Sequence, residues 1–230
     1  MLLKSLFGFT STKKMIEFHA RYLFSVHELF INQNITKMKK YKLTNETTVF
    51  NGITLYRIEA LMDFVDVKKG DKGGFVQSED NLPQFDNCWV YGDAKVFSNA
   101  KVYGNAKVGG DALVYGNAKV FGNAWVYCDA KVYGNAKVCG DAKVFGNAWV
   151  LYDAFVFGNA KVYCNAKVGG NAKVYGNAKV DGDAKVYGNA KVFSNAWVFG
   201  NAKVYGNAKV GGDALVYGFA EVCGDAEVFC

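Results

Sequence analysis

Val114-Tyr115-Gly116-Asn117-Ala118-Lys119, followed at once by Val120-Phe121-Gly122-Asn123-Ala124-Trp125, is the stretch on which the fold turns. The same six-residue unit runs from Val90 to Glu227 without an insertion, 23 hexads in all, and leaves the fragment Val228-Phe229-Cys230. Val holds the first position of every hexad and Ala the fifth. The fourth is Asn fourteen times, Asp eight times and Phe once, at Phe219. The third is Gly except at Ser98, Cys128, Tyr152, Cys164 and Ser194, the second is mostly Tyr or Phe, and the sixth is Lys fifteen times.

Six residues advance an α-helix by about 600°, so successive valines would point in three directions about 120° apart and make no apolar stripe. As an extended strand the unit is coherent. In Ala-Lys-Val-Tyr the side chains alternate, which puts Ala and Val on one face and Lys and the ring on the other. Gly-Asn or Gly-Asp then forms the corner, because glycine adopts positive φ without a clash and Asn or Asp tolerates the left-handed region better than most residues. Every hexad repeats the same in-and-out phase with no reversal signal, so neighbouring units cannot pair as hairpins. A coil in which each turn lies parallel on the last, about 4.8 Å away, satisfies both backbone and pattern. The period alone does not fix the number of sides per turn.

Composition agrees with a packed chain. Of 230 residues, 51% are hydrophobic and 21% charged, a globular balance. Twenty-six Gly stand against one Pro, Pro83, which excludes collagen-like and proline-rich disordered chain. No run approaches the roughly 18 apolar residues of a membrane-spanning helix. Six Cys without a C-x-x-C pair argue against a disulfide scaffold or zinc finger and predict reduced thiols in a cytoplasmic setting. The net charge of +6 is uneven: residues 1–40 carry seven basic and two acidic groups, 41–89 five and eight, 90–230 fifteen and eleven. That excess falls short of a nucleic-acid-binding signature and reads as a solubilising surface.

The repeat resembles the hexapeptide motif, Leu/Ile/Val-Gly-x-x-Ser/Thr/Ala/Val-x, of the left-handed parallel β-helix superfamily. It matches at Val and Ala and departs where Tyr or Phe replaces the motif's second-position glycine. The resemblance implies an all-β triangular prism wound left-handed with three hexads per coil, hence about 7.7 coils and a rod about 37 Å long. Each interior Val would contribute about 1.5 kcal/mol or more. Corner Asn residues would form amide ladders. Lysines stacked at about 4.8 Å repel by about 1 kcal/mol, and an aromatic beside each ammonium would return about 0.5–1 kcal/mol by cation–π contact.

The chain is expected to divide into a helical or poorly ordered extension (1–40), a small β-rich cap (41–83) and the solenoid (84–230). Asp86-Asn87-Cys88-Trp89 already fits the repeat, with Cys88 in the Ala slot. Thr48 to Tyr56 reads as a hairpin around Asn51-Gly52, and the unit would cover the first coil's open edge. Asp66-Val67-Lys68, Gly70, Gly73-Gly74-Phe75-Val76, Asn81-Leu82 and Cys88-Trp89-Val90-Tyr91 are similar to the N-terminal part of uncharacterised bacterial and phage hexapeptide-repeat proteins labelled acyltransferases, a label that carries no catalytic residues with it. Residues 1–40 match nothing in that family. Lys13 to Phe30 has the apolar spacing of a helix that docks on the cap, with a membrane-surface helix as the alternative. No cleavable signal is expected, and Met38 is an alternative start.

Hexapeptide acyltransferases use a solenoid histidine as general base, and the related carbonic anhydrases hold zinc with three. This sequence has only His19 and His27, both upstream of the repeat. Cys128 and Cys164 fall on one side of the coil two turns apart, about 10 Å, too far for a disulfide, and read as small replacements for Gly. Lys68 to Gly74 lacks the phosphate-loop spacing and reads as a turn. Asp93, Asp111, Asp141 and Asp183 read as turn formers, with calcium between corners as the alternative. No catalytic residue, metal or cofactor is assigned. Trp125 and Trp197 share a face with Leu215, while Trp149 and Phe155 sit on the other two, which makes these five the candidate contacts for a partner, a glycan or a second copy. The resemblance implies homotrimers with parallel axes. Thr-rich ice-binding rows are absent, and base stacking on the aromatics is a further alternative. Phe219, Glu221 and Glu227 disturb the last coil, where acids guard its edge. The functional expectation is a non-catalytic structural or binding β-solenoid, with an acyltransferase as the alternative.

Overall fold

Residues 39–230 are described, from a computed structural model. The helix expected over Lys13 to Phe30, and with it His19 and His27, lies outside the described residues.

Strand β1 (Tyr41–Phe50) and strand β2 (Ile53–Ala60) form the expected hairpin. Asn51 and Gly52 both take positive φ, 50° and 76°, the requirement of a two-residue turn whose twist suits its strands. β2 pairs antiparallel with β3 (Lys72–Val76), and β3 pairs parallel with Lys95–Val96. The cap is therefore continuous with one wall of the solenoid.

Three sheets make the walls of a triangular coil. Face 1 has eleven strands, β1 to β3 and then the two-residue strands from Lys95–Val96 to Glu221–Val222. Face 2 has eight, from Trp89–Val90 to Leu215–Val216, and face 3 has eight, from Lys101–Val102 to Glu227–Phe229. Each strand pairs with the one 18 residues on, as Val132 does with Val150 and Lys131 with Trp149, so three hexads make one turn. The result is an all-β parallel solenoid of about nine turns, whose three-sheet arrangement fits a left-handed β-helix. Residues 72–88 add a turn that lacks the hexad signature, which is why the hexads alone fall short of nine.

The backbone bonds between coils that reach beyond the two-residue strands all run one way along the rod. Lys131 N donates to Ala148 O (2.9 Å), Tyr133 N to Val150 O (3.0 Å) and Asn135 N to Tyr152 O (2.8 Å), and the same step of 17 residues recurs in the coils from Trp89 onward. Inside, every repeat Val from Val90 to Val210 and every repeat Ala from Ala94 to Ala214 is fully buried. Outside them the corner residue is left-handed even where Gly is replaced, with φ of 58° at Ser98 and 61° at Tyr152.

That polarity leaves carbonyls at the N-terminal edge. In the first turn the step is 19 residues, as in Phe75 N to Ala94 O (2.8 Å) and Gln77 N to Val96 O (3.1 Å), and the residue 19 before Ala100, Asn81, spends its backbone N–H on Ser78 O (3.2 Å). The Asn81 side chain supplies the donor instead: its Nδ2 donates to Ser98 O (3.0 Å) and Ala100 O (2.9 Å), while its Oδ1 accepts from the N–H groups of Gln77 and Ser78. Lys40 does the same at another corner, its Nζ donating to Asp86 O (2.7 Å) and Cys88 O (2.9 Å) from a site 3% exposed. Trp89 occupies an outward slot of the repeat yet is buried, because Tyr41 and Phe64 pack edge-on against it.

Candidate functional site: the outer faces of the coil

Each flat face carries two outward rows, one from the sixth position and one from the second, bounded at both corners by the fourth-position column. The corner amides form the ladders that the sequence predicts. Asn99 Nδ2 donates to Asn117 Oδ1, Asn117 to Asn135, and Asn135 to Asp153, with distances of 2.9–3.1 Å. A second run on the same corner, Asn171, Asn189, Asn207 and Asp225, repeats the arrangement. The corner between faces 3 and 2 does likewise with Asn87, Asn105, Asn123 and Asp141, then Asn159, Asn177, Asn195 and Asp213. Every run ends in Asp because a carboxylate accepts the rung from below and has no N–H for the next. The third corner differs: Asp93, Asp111, Asp129 and Asp183 stand among its Asn residues.

The second-position rings stack along the axis. Tyr103 lies on Phe121 (4.9 Å between centroids, 2° between planes), Tyr115 on Tyr133 (4.9 Å, 4°) and Phe157 on Tyr175 (4.9 Å, 4°). Where a hexad has Gly in this position, a neighbouring ring folds over it. A Cβ at Gly109 would stand 2.6 Å from Tyr127, and one at Gly169 2.7 Å from Tyr187.

This stacking corrects the expected cation–π pairing. With Tyr and Phe faces turned to one another, few ammoniums reach them, Lys107 over Tyr91 and Lys95 over Phe75 among those that do. The ammoniums meet instead the tryptophans that interrupt their own column. Lys107 and Lys143 flank Trp125 (5.8 and 4.6 Å), Lys131 and Lys167 flank Trp149 (5.0 and 4.4 Å), and Lys179 lies over Trp197 (5.2 Å). Trp125 and Trp149 each stand between two lysines and give both a ring face, while Trp197 stands between Lys179 and Leu215.

Trp125, Trp197 and Leu215 all lie on face 2, the last two directly paired, while Trp149 lies on face 1 and Phe155 on face 3. Trp125 is 42% and Leu215 56% exposed. Trp149, Lys167, Lys185 and Lys203 line an open groove of about 690 Å³ on face 1 with the adjoining corner residues Asn165 and Asp183. Cys128 and Cys164 share one corner column two turns apart, both exposed and free. A hydrogen bond with Asp181 pushes the Cys164 thiol up, and burial pushes Cys139 up and Cys88 up to about 11. Sequence reasoning marked Asn81 and Asp66 as points of resemblance without their contacts, and did not find Lys40, since none carries a periodic signal. Among the described residues no helix is long and apolar enough to cross a membrane, and no group of three or more His, Cys, Asp or Glu is placed to hold a metal ion.

A parallel solenoid of three walls, with 18 residues per turn, defines the class of this chain. No family model matches the sequence. A stretch of 62 residues is 37% identical to a protein of Escherichia coli (strain K12) described as "Uncharacterized acetyltransferase YdcK", covering 24% of this chain and 19% of that protein. The fold and this short likeness fit hexapeptide-repeat proteins generally.

Proposed function

We propose that the chain is a non-catalytic β-solenoid, a rigid rod that presents lysine and aromatic columns for assembly or ligand contact. The observation that carries this reading is that the outward groups are tied to their own kind along the axis, ring to ring and amide to amide, with Lys seated on Trp. Such a surface is a periodic lattice rather than a set of groups gathered on one reacting centre. The thiols of Cys88, Cys139 and Cys164 are all shifted away from the thiolate form that nucleophilic chemistry needs. The test is incubation of the full chain with acetyl-coenzyme A and amine or hydroxyl acceptors. No release of free coenzyme A and no saturable binding supports the reading, and either one overturns it in favour of acyl transfer, the alternative favoured by the E. coli likeness.

Self-association belongs to the same proposal. Face 2, with Trp125, Trp197 and Leu215, is the candidate contact, with Trp149 and Phe155 available on the other two walls. The resemblance implies a homotrimer. Mass in solution checks this: a trimer that Leu215→Lys returns to monomer supports face 2, and a monomeric parent chain removes the proposal. The six free cysteines suit a reducing compartment, and we place the rod in the cytoplasm of a bacterium or phage-infected cell on that ground and on the resemblance.

A further inference from the structure

The three walls do not share charge equally. On faces 1 and 2 most lysines have a partner: Asp66 holds Lys107, Glu221 holds Lys203, tryptophan faces hold Lys131, Lys143, Lys167 and Lys179, and Lys95 lies near Phe75. Face 3 has six lysines in two triads, Lys101, Lys119, Lys137 and then Lys173, Lys191, Lys209, with Phe155 between them. Of these only Lys209 meets a carboxylate, Glu227 at 2.6 Å, and none meets a ring face among the described residues. Lys101, Lys119, Lys137 and Lys173 are exposed.

The corners explain the difference. Face 3 is the wall bounded by the two amide-rich ladders, so Lys119 stands between Asn117 and Asn123, and Lys191 between Asn189 and Asn195. Faces 1 and 2 both border the third corner, with Asp93, Asp111, Asp129 and Asp183. Carboxylates reach face 3 only between its triads, at Asp141 and Asp153, at its C-terminal end, and beside Lys101, where Asp80 and Asp86 line a groove. Unrelieved ammoniums at about 4.8 Å repel, and an anion laid along them relieves the repulsion of several at once.

We propose that face 3 binds a carboxylated polysaccharide lying along the solenoid axis. This rests on the reading of the chain as a binding rod. Two observations select the partner. The neighbouring rings, Tyr103 on Phe121 and Phe157 on Tyr175, spend their faces on each other and turn their electropositive edges outward, which suits anions and removes the platform that nucleobases need. Each interior ladder Asn has used one amide N–H and keeps a second, together with a carbonyl lone pair, beside each Lys. Such paired donors and acceptors match the hydroxyl groups of a sugar chain, whereas an ionised polyphosphate accepts from the amide N–H and offers the carbonyl no donor.

The test is calorimetric titration of the full chain at low salt with oligogalacturonate, with neutral dextran, polyphosphate and oligothymidylate as the comparison arms. Binding to oligogalacturonate is expected to exceed that to the other three, to weaken with salt, and to fall about tenfold or more when Lys119→Gln and Lys191→Gln are combined. Lys161→Gln with Lys185→Gln, on the other walls and equally without carboxylate partners, is expected to leave it unchanged. No binding to oligogalacturonate, equal losses from both pairs, or tighter binding to polyphosphate or oligothymidylate overturns the inference. No polysaccharide binding together with no coenzyme A release would sink this inference alone and leave the non-catalytic reading standing; coenzyme A release would sink the reading on which it rests.

Discussion

The side-chain amide of Asn135 donates to the carboxylate of Asp153 at 2.9 Å, and there the ladder stops, because Asp153 has no N–H with which to reach Asn171. Asp153→Asn restores a donor at that point and joins two runs into one. It is expected to stabilise the chain by about 0.5–1 kcal/mol, read as a higher denaturant midpoint at unchanged slope. An unchanged midpoint would show that the corner amides are spectators.

Lys40 stands in for a missing coil. Lys40→Met keeps much of its volume and removes its donors, leaving the carbonyls of Asp86 and Cys88 unpaired under the cap. The expected cost is about 2–3 kcal/mol, with amide exchange accelerated first in residues 41–90. Uniform acceleration along the rod would contradict this local role.

Trp125 separates Lys107 from Lys143 on face 2. Trp125→Lys makes an unbroken row of five ammoniums, from Lys107 to Lys179, and is expected to destabilise by about 1–2 kcal/mol at low salt, with part of the loss recovered as salt screens the repulsion. A loss that is insensitive to salt would assign the effect to packing alone.

Asp66 ties the cap to the solenoid through Lys107 and the Tyr91 hydroxyl, each at 2.9 Å. The hydrogen bond from Lys107, with Tyr91 helping, holds this carboxyl below the usual range. Since the folded value lies below the unfolded one, the contribution is complete above about pH 4 and is lost as pH falls through the folded value. Exchange of the cap amides is expected to rise on that descent in the parent chain and to rise less at Asp66→Asn, where Glu46 and Asp63, also held below the usual range, still titrate.

The repeat made the walls legible. Alternation alone assigned Val132 and Ala130 inward and Lys131 outward, and the hairpin at Asn51-Gly52 was written in its turn residues. The ends were not legible for a physical reason. A cap satisfies each exposed carbonyl individually, so Asn81 beneath Ala100 and Lys40 beneath Cys88 occur once each and leave no period to detect. The ring contacts misled for another reason: a row of Tyr and Phe offers its faces either to lysines or to itself, and composition does not reveal which competition wins. The face assignment of Trp125, Trp197 and Leu215 followed from counting by eighteen, the coil length that the resemblance implied, but the unequal charge of the walls needed the corners to be placed.

Because the amide runs close on Asp141 and Asp213 at one corner, and on Asp153 and Asp225 at another, the molecule is punctuated every 72 residues, four full turns. A segment of that length begins and ends at equivalent atoms on all three walls. Excising or duplicating it brings valine back under valine and asparagine back under asparagine, so the reach of the rod behaves as an adjustable dimension, set in whole modules and independent of what the tip is built to do.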